Sequence, residues 1–144
     1  MSAVFPNASC VAIATESGGV RGLLIEGIPG SGKSSLALAL IDRGALLVGD
    51  DGVTLTRRGE RLWASPPPNT AGRLEIRNVG LARMPAAPAP IALVVRLDPV
   101  AERHLEAAET TDLFGATLPL VRLWPDTPVL PLRVEWALTL HGLA

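Results

Sequence analysis

The chain has 144 residues, of which 48% are hydrophobic and 19% charged, with a net charge of −1. This composition excludes a disordered chain and suits a globular domain, so we predict one domain over residues 1–144. The near-neutral charge offers no basic surface for nucleic acid or an anionic membrane, and we predict neither as a partner. No signal-peptide pattern and no apolar run of the ~20 residues that cross a bilayer are found, so we expect a cytoplasmic protein.

The first half of the chain predicts strands around one helix. Residues 8–14 and 20–26 are predicted strands, and the single cysteine, Cys10, is interpreted as a small buried strand residue. Residues 35–43 are good helix formers, and Gly44 is a natural C-terminal cap. An apolar run bounded by glycines predicts a strand over 45–48 that is buried on both faces. A hairpin is predicted from 53–56 and 61–64.

Prolines make the second half harder to interpret. We predict a loop over 65–69 and strands over 74–77 and 91–97. Asp98 as N-cap and Pro99 in the first position predict a helix over 99–108. The stretch 118–131 contains four prolines, which indicates irregular chain or an edge strand, and 132–140 is predicted to be a strand or a short helix, with the strand favoured.

A phosphate-binding loop lies between the second strand and the first helix. Gly27 to Ser34 match the pattern G-x-x-x-x-G-K-[ST], in which glycines let successive backbone N–H groups point at phosphate oxygens. Lys33 adds a positive charge at the β- and γ-phosphates, and the Ser34 hydroxyl is a ligand for Mg²⁺. The predicted nucleotide-binding residues are Gly27, Ile28, Pro29, Gly30, Ser31, Gly32, Lys33, Ser34 and Ser35.

Two groups of charged residues follow the loop. Asp50 and Asp51 come directly after the buried strand, where carboxylates can hold Mg²⁺ or accept a proton from an attacking hydroxyl. Glu75 and Arg77 alternate with Leu74 and Ile76, which places the charged pair on one strand face. The pair suits a metal-and-phosphate site, and equally an exposed strand face.

These segments together resemble the catalytic domain of the bacterial HPr kinase/phosphorylase family. The resemblance is carried by four segments: the loop with Ile25 and Glu26, the helix 36–44, the stretch 47–51, and Leu-Glu-Ile-Arg-Asn-Val-Gly over 74–80. The last is similar to the family's E-I-R-G signature, with Asn78 in place of glycine; Asn tolerates left-handed conformations. The length resembles the compact form found in alphaproteobacteria.

The resemblance implies a P-loop α/β fold related to phosphoenolpyruvate carboxykinase, with a mixed sheet whose phosphate loop leads into a buried helix. It implies transfer of the γ-phosphoryl group of ATP, with Mg²⁺, to a serine of the phosphocarrier HPr, and the reverse phosphorolysis as a further possibility. Lys33 would hold the phosphates, Ser34 and Glu75 would serve Mg²⁺, Asp50 would be the general base, and Asp51 would support it. Longer members are hexamers, so a homo-oligomer is a possible state.

One departure from the family leaves the function open. Asn7 occupies the position where the family carries a histidine close to the catalytic aspartate, and an amide does not titrate near neutral pH. The alternatives are a nucleotide-binding regulatory module with weak or no transferase activity, and a kinase of small molecules. Arg122 and Arg133 are candidates for a phosphate-contacting arginine.

Overall fold

The computed structural model describes residues 2–144 and is built around one long strand. The helices are α1 (Lys33–Asp42) and α2 (Leu130–His141). The strands are β1 (Ser2–Pro6), β2 (Ser9–Ala14), β3 (Val20–Glu26), β4 (Leu46–Gly49), β5 (Gly52–Arg58), β6 (Arg61–Ser65), β7 (Arg73–Ile76), β8 (Gly80–Arg83), β9 (Ala89–Leu97), β10 (Glu109–Leu113) and β11 (Ala116–Leu123).

Strand β9 joins two parts of a mixed sheet. It pairs in parallel with β3 along one side, while its other side pairs first with β6 and then with β11. The sheet continues from β6 to β5 and β1, and from β3 to β2 and β4. Because β2 is antiparallel to both β3 and β4, the carboxyl ends of β3 and β4 lie at the same edge. The predicted mixed sheet is therefore present, with the phosphate loop leading from β3 into α1.

Alternating side chains divide the core into two layers. Leu23 and Ile25 face α1 and α2, whereas Leu24 between them packs with the hairpin β5–β6 and with β11. Cys10 is buried in β2, which confirms the interpretation of this residue. Burial raises the pKa of its thiol to about 12, and a backbone hydrogen bond at Leu23 lowers the pKa by less.

The second half contains the errors of prediction. No helix forms over 99–108: Asp98 caps a turn by accepting a 2.9 Å hydrogen bond from the N–H of Val100, and the chain then stays irregular. A helix needs an apolar face to bury, but Val100 and Leu105 are exposed here, so the turn does not propagate. Strands β1, β8 and β10 were not predicted.

The strand favoured over 132–140 is wrong, and the second alternative, a helix, forms there as α2. Pro131 lies in its first turn, a position where proline costs no hydrogen bond. The stretch 118–131 is regular up to Leu123, and β11 joins β9 only from Leu120 onward. Pro119 therefore lies outside that ladder and is paired with Thr110 of β10 instead.

The small hairpin β7–β8 forms a separate two-stranded sheet. Leu74 is fully buried and β7 contacts α1, which holds the hairpin beside the phosphate loop. In the described residues, 2–144, no helix is long and apolar enough to cross a membrane.

Candidate phosphoryl-transfer site

Most of the predicted site residues line one cleft of about 260 Å³, whereas Gly27 and Ile28 line a neighbouring cleft and Ser31 lines neither. The phosphate loop contributes one wall, the turn after β4 contributes Asp50 and Asp51, and the hairpin β7–β8 contributes Glu75 and Arg77. Three carboxylates and two cationic groups line it, so a bound divalent cation would offset the excess negative charge before phosphates enter. The structure thus brings together groups that lie up to 48 residues apart, from Pro29 to Arg77.

The phosphate loop contains two glycines in the left-handed backbone conformation, which turns the chain sharply. Gly30 and Gly32 have φ angles of 81° and 100°, which side chains rarely adopt, and no atom of the described chain lies within 4 Å of a Cβ built on either. The Lys33 ammonium donates hydrogen bonds of 2.8 and 3.2 Å to the carbonyls of Gly27 and Ile28. Its charge is thereby held at the mouth of the loop. The buried hydroxyl oxygen of Ser31 has no hydrogen-bond partner among the described residues.

Asp50 accepts hydrogen bonds from three separate parts of the chain. Its Oδ1 accepts hydrogen bonds from the Ser34 hydroxyl at 2.6 Å and from the Ser9 hydroxyl at 2.9 Å. Its Oδ2 accepts a 3.3 Å bond from the backbone N–H of Glu75. The carboxylate therefore connects the phosphate loop, β2 and β7, and both of its oxygens have donors.

Asp51 differs from Asp50 in its exposure and in its hydrogen bonding. It has a left-handed backbone with φ 56°, lies exposed at the cleft, and its side chain makes no hydrogen bond within the described part of the chain. Its carbonyl accepts a 3.3 Å bond from the N–H of Asn7, which is also left-handed at φ 61°. Such backbone conformations cost energy and are concentrated at functional sites.

The tight turn between β4 and β5 explains the glycine before the aspartate pair. A Cβ on Gly49 would overlap the carbonyl of Gly52 and lie 2.7 Å from Val53. Any larger residue would push the Asp50–Asp51 turn out of place. Asn78, which stands where the related signature has glycine, has φ 68°, so its tolerance of the left-handed region is confirmed.

The donor set fits Mg²⁺ bound together with phosphates. Ser34, Asp50 and Glu75 offer the oxygen ligands that this ion prefers. Among residues 2–144 no three His, Cys, Asp or Glu side chains cluster in a way that could hold a metal ion. A cation here would therefore share its coordination with phosphate oxygens and water, as Mg²⁺ commonly does.

The two arginines proposed from the sequence lie outside this cleft, but Arg122 lines a neighbouring cleft together with Gly27 and Ile28 of the phosphate loop. Arg122 pairs with Glu109 and Asp98, and hydrogen bonding to Glu109 is the main cause that raises its pKa. Arg133 lies over the ring of Trp124, 5.6 Å from its centroid. Neither lines the cleft with Asp50. Arg77 is the arginine that does, so it is the better candidate for contact with a phosphate.

A second cleft of about 490 Å³ adjoins the phosphate loop and contains residues that sequence reasoning missed. Arg96 reaches it from the end of β9 and makes two hydrogen bonds of 2.8 and 3.0 Å to Glu26. Since β9 is parallel to β3, their carboxyl ends share the edge where ligands bind, and that rule could have found Arg96. Ser9 carried no such signal, because its role depends on Asp50, 41 residues away.

The matched family is the HPr serine kinase C-terminal domain, whose model covers residues 11–87. This segment includes Lys33, Asp50 and Glu75. The HPr kinase/phosphorylase of Clostridium tetani is 45% identical over 65 residues, which are 45% of this chain and 21% of that protein. The HPr kinase/phosphorylase of Chlorobium chlorochromatii is 35% identical over 125 residues, 76% of this chain and 36% of that protein. The chain spans about a fifth to a third of the length of these relatives.

The fold is also similar to a solved structure. The HPr(Ser) kinase/phosphatase from Coxiella burnetii superposes with a TM-score of 0.78 at 26% identity. The similarity covers 95% of this chain and 88% of that one. It thus extends over β9, β11 and α2, which the family model does not reach.

Proposed function

This chain belongs to the HPr serine kinase C-terminal domain family, and on that premise we propose that it transfers the γ-phosphoryl group of ATP to a serine of HPr. One observation carries the proposal: the Ser34 hydroxyl of the phosphate loop donates a 2.6 Å hydrogen bond to Asp50. This bond joins the group that binds phosphate to the carboxylates that serve metal and proton. Phosphoryl transfer needs these parts in one cleft, because its catalysis is mainly positioning and charge neutralisation.

Each group of the cleft has a part in binding or positioning. The backbone N–H groups of the loop and Lys33 hold the β- and γ-phosphates. Ser34 and Glu75 offer ligands to Mg²⁺, which when bound neutralises charge on the phosphates. Arg77 supplies a second cation in the cleft, where the transferred group carries its charge. ATP and Mg²⁺ are therefore the cofactors proposed here.

The hydrogen bonds favour roles for Asp50 and Asp51 that differ from the roles implied by the resemblance. Asp50, implied there as the base, has both oxygens engaged and shares Ser34 with the metal site, which suits a metal-side carboxylate. Asp51 is exposed at the cleft and holds no proton donor from the described chain. We therefore assign proton acceptance from the serine hydroxyl to Asp51, and Mg²⁺ orientation to Asp50.

The test is phosphorylation of HPr by the purified chain with ATP and Mg²⁺, with the modified serine located by mass spectrometry. Lys33→Ala should abolish the product, and phosphoserine formed by this variant would refute the proposal. Asp51→Asn should abolish transfer and leave Mg-ATP affinity unchanged, whereas Asp50→Asn should weaken Mg²⁺-dependent ATP binding. The opposite outcome for the two aspartates would restore Asp50 as the base.

The same preparation decides the donor and the direction of the reaction. Pyrophosphate replaces ATP in one reaction, and phosphoserine-HPr with inorganic phosphate replaces both substrates in another. Product in the second reaction would establish phosphorolysis for this chain. Its absence would limit the chain to the kinase direction.

Asn7 supports the alternative of a nucleotide-binding regulatory module. Its backbone N–H lies 3.3 Å from the carbonyl of Asp51, so the residue that replaces a titratable ring adjoins the aspartate pair. The alternative predicts ATP binding without phosphoserine in the natural chain and a gain of activity in Asn7→His. Equal activity of the two proteins would exclude it.

A further inference from the structure

We propose that the outer face of the β7–β8 hairpin is the docking surface for the protein that presents the acceptor serine. This inference deepens the proposed kinase function and rests on it. The surface, called here the hairpin face, consists of Arg73, Glu75, Leu81 and Arg83 on the strands together with Arg77 and Val79 of the turn that connects them. Its occupant is a protein segment that combines apolar residues with carboxylates next to a serine.

The register of the hairpin defines this face. Arg73 is paired with Arg83 and Glu75 with Leu81, so these four side chains share one side. The opposite side contains Leu74, which is fully buried toward α1. The hairpin is thereby fixed to the body of the molecule by one face, while its other face remains open at the edge of the catalytic cleft.

The hairpin face contains two exposed aliphatic residues, one in the turn and one on β8. Val79 is 80% exposed and Leu81 is 58% exposed. A two-stranded sheet has no second layer of its own with which to cover such residues. Adjacent exposed aliphatic side chains beside a functional site are typical of an interaction surface.

The charge of the face specifies the partner further. Arg73, Arg77 and Arg83 make no ion pair with a described residue, and Glu75 is the one carboxylate among them. The face is therefore positive by two charges, while the whole chain has a net charge of −1. Unpaired guanidinium groups attract carboxylates over several ångströms and orient an approaching protein.

The chemistry of the face suits a protein better than the nucleotide. Nucleobases stack on aromatic rings, but the exposed apolar residues here are Val79 and Leu81. The phosphates already have the loop and Lys33. Because Glu75 and Arg77 belong both to the hairpin face and to the cleft, a protein held on this face lies at the edge of the cleft that contains Asp51.

The experiment separates docking from chemistry by steady-state kinetics with HPr as acceptor. The Val79→Ser/Leu81→Ser double variant and the Arg83→Glu variant should each raise KM for HPr at least about tenfold, the loss expected from interface anchors. KM for ATP and kcat at saturating HPr should stay within about twofold of the natural chain. Leu140→Ser and Arg103→Glu, both at exposed positions outside the cleft, serve as matched controls and should change neither constant.

Binding of HPr to each variant, measured without ATP, keeps the inference testable if no transfer occurs. If HPr binds to the natural chain but not to the hairpin variants, the docking surface is supported. If the natural chain binds HPr in this way but does not phosphorylate it, only the proposed kinase function is refuted. Unchanged HPr affinity in both hairpin variants, or no affinity in any protein, overturns the docking surface. It is overturned equally if KM for ATP rises as much as KM for HPr, or if the hairpin variants only dissociate a dimer.

Discussion

Removal of the Ser9 hydroxyl tests how firmly the site depends on a residue with no motif of its own. Ser9 is 1% exposed and donates a 2.9 Å hydrogen bond to Asp50 Oδ1. A hydrogen bond to a charged group contributes about 1.5–3 kcal/mol. Because the same oxygen keeps the 2.6 Å bond from Ser34, it is not left without a donor, and we expect a loss at the lower end of this range.

The expected effects of Ser9→Ala are therefore moderate and measurable. The free energy of unfolding should fall by about 1.5 kcal/mol, which lowers Tm by about 5 °C for a chain of this length. The value of kcat should fall about tenfold with little change in KM for ATP, since Asp50 is less firmly oriented while the phosphate loop is intact. Urea unfolding and the HPr phosphorylation assay measure the two effects.

A control and a double-mutant cycle decide whether the hydrogen bond is the cause. Thr54→Val removes a buried hydroxyl that has no hydrogen-bond partner among the described residues, and it should not destabilise the protein. In a cycle, Ser9→Ala and Asp50→Ala should show a coupling energy of about 1 kcal/mol. A coupling below about 0.3 kcal/mol, or an unchanged kcat in Ser9→Ala, would refute the reasoning.

Three further predictions concern backbone strain, close packing and the buried thiol. Asp51→Gly should raise the free energy of unfolding by about 0.5–1 kcal/mol, because glycine adopts the left-handed conformation without strain, and it should abolish transfer. Asn78→Gly should raise the free energy of unfolding by the same amount and retain kcat. Equal losses of activity in the two variants would contradict the assignment of Asp51. Gly49→Ala should cost about 1–3 kcal/mol in urea unfolding and lower kcat, because the new Cβ overlaps the Gly52 carbonyl; a neutral result would mean that the turn adapts. The pKa of Cys10 is raised from its ordinary value of 9.0 to about 12, so its contribution to stability is complete below pH 9 and is lost as pH rises from there toward 12. Between about pH 8 and about pH 10, the natural chain should lose about 1 kcal/mol more than Cys10→Ala, and parallel curves would exclude the thiol as the cause.

Some structural elements were predictable because a short stretch of sequence is enough to specify them. The loop Gly27–Ser34 needs its glycines, Lys33 and Ser34 in fixed order, and the helix that follows consists of good helix formers. The run before Gly49 is apolar throughout because both faces of β4 near its end are buried. A left-handed Asn78 could be expected because it stands where the similar signature has glycine and because Asn tolerates that conformation.

The errors arose where local sequence does not determine burial. Helix α2 buries Val134 and Leu138 while Leu132, Trp136 and Leu140 lie exposed, so apolar residues surround it and no 3.6-residue period is visible. The segment after Asp98 has a true helix start signal, but nothing for its apolar residues to pack against. In both cases the partner surface, which the sequence does not reveal, decided the outcome.

The sequence by itself determined that the chain holds a phosphate loop, two candidate aspartates and a Glu-x-Arg pair, because each is a local pattern of residue types. Tertiary structure decided how they work together. Asp50 receives donors from Ser9 and Glu75, at separations of 41 and 25 residues, through strand pairing and a hairpin packed on α1. Such hydrogen bonds depend on the register of distant strands, so only the folded chain could show Asp50 engaged and Asp51 open to a substrate.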